Sequence, residues 1–361
     1  MWIIFFIIIV IVLSIVSFLR HPKFGKIGKG SEAERILTSP NFREGKFQNL
    51  HYTPDLTEGV SYYAVMKEFF FQKSKRAKPP GMIPSQKTNL HTLDPDKNIL
   101  VWFGHSSYFM QVDGKKILVD PVFSGAASPV KFTTRSFAGT DVYTVEDIPV
   151  IDYLFISHDH WDHLDYATIL SLQPKIKQVI TGLGTGTHLI HWGYAPDRVI
   201  EKDWYEQIQL DLGFSVITAP GRHFSGRGLK RNQSLWTSFI FITPTHTLFL
   251  GGDSGYDTHF KEIGNTYGPF DLAILECGQY DKSWKYIHMM PEEVIQAAED
   301  LQAKKLMPVH WAKFALANHD WDAPIIRVMA ANKGIPLLTP MIGQEVLFDT
   351  DTIFSNWWLQ I

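Results

Sequence analysis

The chain has a single cysteine, Cys277, in 361 residues, so it cannot form an intramolecular disulfide. Cys277 follows the apolar run Leu272–Leu275 and reads as a buried small hydrophobe, not as a nucleophile. Positive charge is not in excess: 34 Lys and Arg stand against 37 Asp and Glu, a formal charge of −3. That balance offers no general attraction to a polyanion. With no strongly basic stretch in the core, nucleic acid is not expected as a partner. Internal repeats and long low-complexity segments are absent too. Apolar side chains are plentiful, 45% of the chain against 20% charged, which is enough for an ample core.

The N-terminus is the one place where charge disappears for long. Trp2–Leu19 contains no charged residue, and Ser14 and Ser17 are its only polar ones. About eighteen apolar residues is near the minimum that spans a bilayer as a helix. No basic residue precedes the run and no small-residue cleavage motif follows it, which argues against a cleaved signal peptide. Residues 1–20 are therefore expected to be a transmembrane anchor. Arg20, Lys23, Lys26 and Lys29 come next. By the positive-inside tendency they stay in the cytoplasm, with the rest of the chain behind them. Residues 21–97 read as a juxtamembrane linker and strap. Phe24–Gly30 is rich in glycine and lysine, and Ala77–Asp96 carries four prolines. Residues 98–361 read as one large domain. It opens with strands at Asn98–Phe103, Ser107–Val112 and Lys116–Val119, the last two joined by an Asp113-Gly114 turn. Helices are expected at Tyr166–Leu172 and Pro291–Leu301, the latter with Pro at its first position and Glu292 and Glu293 in its first turn.

The densest chemistry is His158-Asp159-His160-Trp161-Asp162-His163, directly after the apolar run Asp152–Ile156. Imidazole and carboxylate are the ligands that suit zinc and similar divalent ions. Neighbouring side chains on so short a loop point different ways. The expected division is His158 and His160 on one ion, Asp162 and His163 on a second. Each ion then needs ligands from elsewhere. His223 follows Phe214–Ala219, Asp253 follows Thr247–Leu250, and His310 follows Lys305–Val309. In each case a strand-length run ends and a ligand-type residue comes soon after, as at the carboxyl edge of an open α/β sheet. His223 is assigned to the first metal and His310 to the second. Asp253 lies between them, because a carboxylate has two oxygens to share. Such a set leaves a coordination position open for catalysis. All seven must share a pocket, so a single domain is required.

Further stretches extend the pattern: Trp102-Phe103-Gly104-His105-Ser106-Ser107, Asp120-Pro121-Val122-Phe123-Ser124, the long run Arg227–Trp236, and Gly251–Tyr256. So do Gly268–Ala273, His288-Met289-Met290-Pro291-Glu292-Glu293, and Val309–Asn318. Together with the metal motif they resemble the metallo-β-lactamase superfamily, and within it the N-acylphosphatidylethanolamine-hydrolysing phospholipases D and their bacterial relatives. The similarity runs from about Arg20 to Gln344. It implies an α/β fold, a four-layer αββα sandwich with a dinuclear site on its edge, most simply with two zinc ions. It also implies hydrolysis of an N-acylphosphatidylethanolamine-like lipid to phosphatidic acid and an N-acylethanolamine. The partners are then a phospholipid and the bilayer, and a homodimer is left open. Candidate catalytic residues are Asp162, also a metal ligand, and His288, which the resemblance puts beside the site, where it could protonate a leaving alkoxide. The competing reading of His288 is a cap on the helix at Pro291. His105 reads better as a structural hydrogen bond in its turn. Arg222, Arg227, Lys230 and Arg231 either hold phosphate or form a solvated loop. Trp161, Trp192, Trp284 and Trp311 either line a lipid-facing mouth or pack the core. The alternatives in function are a lactonase, a soluble phosphodiesterase, or a membrane-tethered protein that binds metal without catalysis.

Overall fold

The computed structural model of the protein describes residues 2–28 and 30–361; Lys29, one of the four basic residues after the apolar run, lies outside them. Helix α1 (Trp2–Leu19) buries none of its 18 residues and has a mean hydropathy of 3.2. Then come α2 (Ser31–Leu37), the paired β1 (Phe42–Arg43) and β2 (Lys46–Phe47), and α3 (Tyr62–Phe71). Residues 21–97 are thus more than linker and strap, since residues 31–71 carry regular structure. These elements are short for a periodic signal to stand out in sequence. Residues 72–97, across the proline-rich stretch, have no helix or named strand and bury Ile83 and Leu90.

The core begins with β3 (Ile99–Trp102), β4 (Tyr108–Val112) and β5 (Lys115–Val119), an antiparallel meander. Next come β6 (Ile151–Ile156), α4 (Tyr166–Leu172), β7 (Ile176–Gly182), α5 (Gly186–His191) and β8 (Val199–Lys202), whose strands extend that sheet in parallel. A second sheet starts with β9 (Gln207–Gln209), β10 (Ser215–Ala219), β11 (Ser238–Ile242) and β12 (Thr247–Leu250), all antiparallel. After α6 (His259–Tyr267) it gains β13 (Leu272–Glu276) and, after α7 (Pro291–Asp300), β14 (Leu306–Val309), both parallel to β12. Helix α8 (Ala323–Ala331) and β15 (Glu345–Leu347) follow, and β15 crosses back to pair with β3. The sheet orders are β15-β3-β4-β5-β6-β7-β8 and β14-β13-β12-β11-β10-β9.

Side chains of a strand alternate between faces, and here both faces are buried. In β3, β5 and β6, the residues Leu100, Trp102, Ile117, Val119, Tyr153 and Phe155 enter the core shared with the second sheet. Their neighbours Ile99, Val101, Leu118, Leu154 and Ile156 pack instead with Ile169 and Leu172 of α4 and Leu189 of α5. Val294, Ile295 and Ala298 of α7 and Ile325 and Val328 of α8 close the other outer layer. The result is the expected α/β sandwich, helices outside two central sheets. It also explains why these strands read as continuous apolar runs.

Strand direction determines where function can sit. β6 runs parallel to β5 and β7, while β10, β12, β13 and β14 share one direction within their own sheet. Their carboxyl ends meet at one edge, where Thr237 N donates to Ser157 O at 2.9 Å across the two sheets. The approach is so close that a Cβ on Gly252 would lie 2.7 Å from Thr237 O and 2.9 Å from Ser157 Cβ. Only glycine fits immediately before Asp253.

Candidate metal centre

Each expected ligand leaves a strand within a few residues: His158, His160, Asp162 and His163 after β6, His223 after β10, Asp253 after β12, and His310 after β14. The structure brings all seven together. One group, His158, His160, His223 and Asp253, has its ligand atoms within 4.8 Å of one another; a second, His105, Asp162, His163 and His310, meets the same limit. Asp253 stands between the groups. Its Oδ2 lies 3.8 Å from His158 Nε2, 3.7 Å from His223 Nε2 and 3.1 Å from His163 Nε2, and its Oδ1 lies 3.3 Å from His310 Nδ1.

Second partners determine which ring nitrogen faces inward. His223 donates from Nδ1 to Ile287 O at 2.8 Å, leaving the Nε2 lone pair 3.2 Å from His160 Nδ1. His158 Nδ1 meets Ser157 Oγ at 2.9 Å and its Nε2 also lies 2.9 Å from His160 Nδ1. His163 Nδ1 is 2.8 Å from Asp120 Oδ2, and the same carboxylate accepts from Ser157 N and Oγ. A carboxylate behind a histidine orients the ring and raises its basicity as a ligand.

This donor set fits divalent cations. His163 Nε2 and Asp253 Oδ1 are buried and aimed into the cluster, yet neither has a hydrogen-bond partner. A buried polar atom left unsatisfied costs about 1–3 kcal/mol, and a cation between such atoms removes the deficit. Burial holds His158, His223 and His310 well below the ordinary histidine value, so they stand neutral, as ligands must. Burial opposes charge on His163, Asp162 and Asp253 as well. There the mutual attraction wins: His163 is held well above its usual value by Asp253 and Asp162, and both carboxylates well below theirs, mainly by His163.

Residues beside the ligands divide less predictably. His105 makes main-chain hydrogen bonds in its turn, to Trp311 O and from His310 N, but its side chain also reaches Asp162, with Nε2 2.8 Å from Oδ2. It belongs to the site as well as to its turn. His288 packs against His310 at 5.4 Å and His223 at 4.9 Å between ring centroids. It does not cap α7: Glu293 Oε2 accepts from Met290 N there instead. Glu276, the last residue of β13, accepts at Oε1 from Ser254 N and Met289 N and faces His288 Nδ1 at 3.1 Å. Burial pushes Glu276 up to about 7, and His288 is raised because the attraction of Glu276 outweighs its own burial. Asp120 and Glu276 were not singled out from sequence as functional. Their signal was an acidic residue at the end of an apolar run.

A cavity of about 270 Å³ opens onto the cluster, bounded by His160, Asp162, His223, Asp253, His288 and His310 within, and by Asp55, Tyr62, Phe224, Arg231, Trp284, Ile287 and Leu316 toward its mouth. Of the four basic candidates only Arg231 lines it, 3.3 Å from Asp55 and over the Phe224 ring. Arg222 is tied to Thr53 and Tyr52 O, Arg227 is buried elsewhere, and Lys230 opens onto a separate cavity. Of the four tryptophans only Trp284 lines the mouth; Trp311 is core, and Trp161 and Trp192 pack on the outer side of the metal loop. Cys277 is wholly buried, and burial raises its thiol pKa well above the usual value.

Comparison with known proteins agrees with this geometry. Residues 115–311 match the β-lactamase superfamily domain. The N-acyl-phosphatidylethanolamine-hydrolyzing phospholipase D 1 of Caenorhabditis elegans is 31% identical over 269 residues, covering 66% of this chain and 74% of that protein. A shorter match, 62% identical over 96 residues, links 27% of this chain to 73% of outer membrane protein RomA of Klebsiella pneumoniae. Among solved structures, the metallo hydrolase Igni18 of Ignicoccus hospitalis superposes with a TM-score of 0.55 at 21% identity, over 69% of this chain and 97% of its own, and so shares the fold. With its sandwich, its ligand-rich edge and these relatives, the chain belongs to the β-lactamase superfamily as a metal-dependent hydrolase related to the N-acyl-phosphatidylethanolamine-hydrolysing phospholipases D.

Proposed function

We propose that the protein is a membrane-anchored phosphodiesterase of the phospholipase D type, holding two divalent ions, most simply zinc, and cleaving N-acylphosphatidylethanolamine-like lipids. The observation that carries this reading is the pair of ligand groups with Asp253 between them and His288 beside both. The relative from Caenorhabditis elegans supplies the substrate class. His158, His160 and His223 would hold one ion and Asp162, His163 and His310 the other. Ions bound there would supply Lewis-acid polarisation and a water of lowered pKa.

The chain's own groups do the rest. His288, kept protonated by Glu276, hydrogen-bonds a phosphate oxygen and delivers its proton to the leaving alkoxide. Arg231 at the mouth attracts the diester's negative charge. A cavity of about 270 Å³ is smaller than a whole phospholipid, so the headgroup enters while the chains stay against Tyr62, Trp284 and Leu316 at the rim. With none of its residues buried and only Ser14 and Ser17 polar, α1 keeps the site beside its substrate in the cell membrane. The basic residues after it favour a cytoplasmic catalytic domain.

Elemental analysis of purified protein, combined with hydrolysis of N-acylphosphatidylethanolamine vesicles and of soluble diesters and lactones, tests the reading. Metal-dependent release of N-acylethanolamine is the expected result. Turnover of soluble substrates alone would overturn the lipid assignment. Protease protection in intact cells tests orientation; digestion of the domain from outside would place it on the other side of the membrane.

A further inference from the structure

The segment that joins α1 to the domain does not hang free. Pro22 O accepts from Trp192 Nε1 at 2.8 Å, Lys23 O accepts from Arg227 Nε and Nη2 at 3.1 Å each, and Lys26 N donates to His188 Nδ1 at 2.9 Å. Lys23 Nζ reaches Pro129 O at 2.7 Å, and the Phe24 ring sits edge-on to Trp161 at 5.3 Å. Gly25 has φ of 74°, and a Cβ there would collide with His188 Nδ1. Its backbone conformation and its seat both require glycine. These contacts make a built receptor with main-chain specificity for a short stretch of this chain.

The other side of that receptor is the metal loop. Arg227 is 3% exposed, and its Nη1 donates to Asp159 O at 2.9 Å and Leu164 O at 2.6 Å, the residues that bracket His160–His163. Its guanidinium lies 4.0 Å from the Trp161 ring and 5.2 Å from that of Trp192. Asp159 is held in turn by Gly226 N at 2.6 Å and faces His188 Nε2 at 3.3 Å. One buried guanidinium therefore joins two pieces of backbone, the loop that carries four candidate ligands and the segment that leaves the membrane helix. Every hydrogen bond it makes goes to a carbonyl, so side-chain variation in the segment leaves the joint intact.

We infer that Pro22–Lys26 acts as an intramolecular ligand of the metal loop's outer face, and that Arg227 is a positioning residue through which membrane attachment holds the ligand geometry. When the segment is displaced, Arg227 loses one of its three acceptors and Trp161 loses a packing partner. The loop then relaxes away from the arrangement in which His158, His160, Asp162 and His163 converge. The inference needs the loop to hold metal but is independent of the lipid substrate.

The test uses the full chain in detergent micelles, comparing wild type with Gly25→Val, which lies outside the core and both metal groups. Trypsin cleavage after Lys23 and Lys26, followed by mass spectrometry, reads docking. Transfer of metal to a chelating dye reads loop geometry. Wild type should resist cleavage at both lysines. Gly25→Val should be cut readily and release metal roughly tenfold faster, the range seen when a group supporting ligands from behind is lost. Arg227→Lys should release metal faster while leaving both lysines more protected than in Gly25→Val, since Trp192 and His188 still hold the segment. Wild type cut as fast as Gly25→Val would overturn docking. An undocked Gly25→Val with unchanged metal release would overturn the coupling. Wild type that carries no metal by elemental analysis would remove the metal centre itself, and the coupling with it.

Discussion

The two halves of the candidate metal centre are built differently. The half formed by His158, His160 and His223 offers only imidazoles besides the shared Asp253, and their supports are neutral: the Ser157 hydroxyl and the Ile287 carbonyl. The half formed by Asp162, His163 and His310 contains its own carboxylate, and a second, Asp120, stands behind His163. Burial pushes His158 and His223 of the first half and His310 of the second toward neutrality, whereas His163 alone of these is pushed toward the cation by surrounding carboxylates. A cluster of buried carboxylates tolerates a divalent ion better than a cluster of imidazoles alone, because it offsets more charge. The contrast predicts unequal halves, with tighter metal binding beside Asp162.

The largest effect should come from removing what the halves share. Asp253→Ala should deplete metal from both and cut turnover roughly thousandfold, as loss of several kcal/mol of electrostatic stabilisation implies; metal content and initial rates check it. Next, His223→Ala and His163→Ala separate the halves. Each should lose one metal equivalent, with the equivalent kept by His223→Ala the more slowly chelated. If both variants lose both metals together, the division into halves is wrong. Asp120→Asn should weaken metal binding only in the carboxylate-rich half, by about 10–100-fold, since the amide no longer fixes and polarises His163; competition with a chelator measures it.

His288 lies against both halves, and its pH dependence sharpens the comparison. A proton held by a raised His288–Glu276 pair is available below the pair's pKa, so a general-acid rate falls as pH rises through it. Glu276→Gln removes the attraction that raises His288 and leaves burial, which lowers it. The falling limb should therefore move to lower pH, costing about tenfold in rate on the alkaline side. An unmoved profile would show that His288 does not donate the proton. Smallest of all, Arg231→Ala should raise KM a few-fold with little change in kcat, because its side chain is 44% exposed and its interactions are screened.

How much of this was legible beforehand follows from how far each signal reaches along the chain. The loop His158–His163 announces itself within six residues. His223, Asp253 and His310 were found because each ends an apolar run, and a sheet edge gathers such ends. Asp120 was noted only within the Asp120–Ser124 stretch and given no role of its own, because its partner His163 lies 43 residues on and a lone acid after a strand has many ordinary uses. Arg227 was considered for phosphate and instead binds backbone, since nothing local shows that Lys23 O will come within 3.1 Å of it. The tryptophans divide for the same reason: Trp284 and Trp161 look alike in sequence, yet one lines the mouth and the other supports the metal loop from outside.

The sequence by itself determined the kinds of groups available and their spacing along each strand: an apolar span at the start, runs buried on both faces, and a ligand at each strand end. Those are local properties, set by side-chain chemistry and by the two-residue repeat of a strand. Only the tertiary structure decided which ring nitrogen faces inward, which carboxylate lies between both ligand groups, and that the segment after α1 packs behind the His158–His163 loop. Those depend on hydrogen bonds and burial between residues far apart in the chain, which exist only once the two sheets have packed.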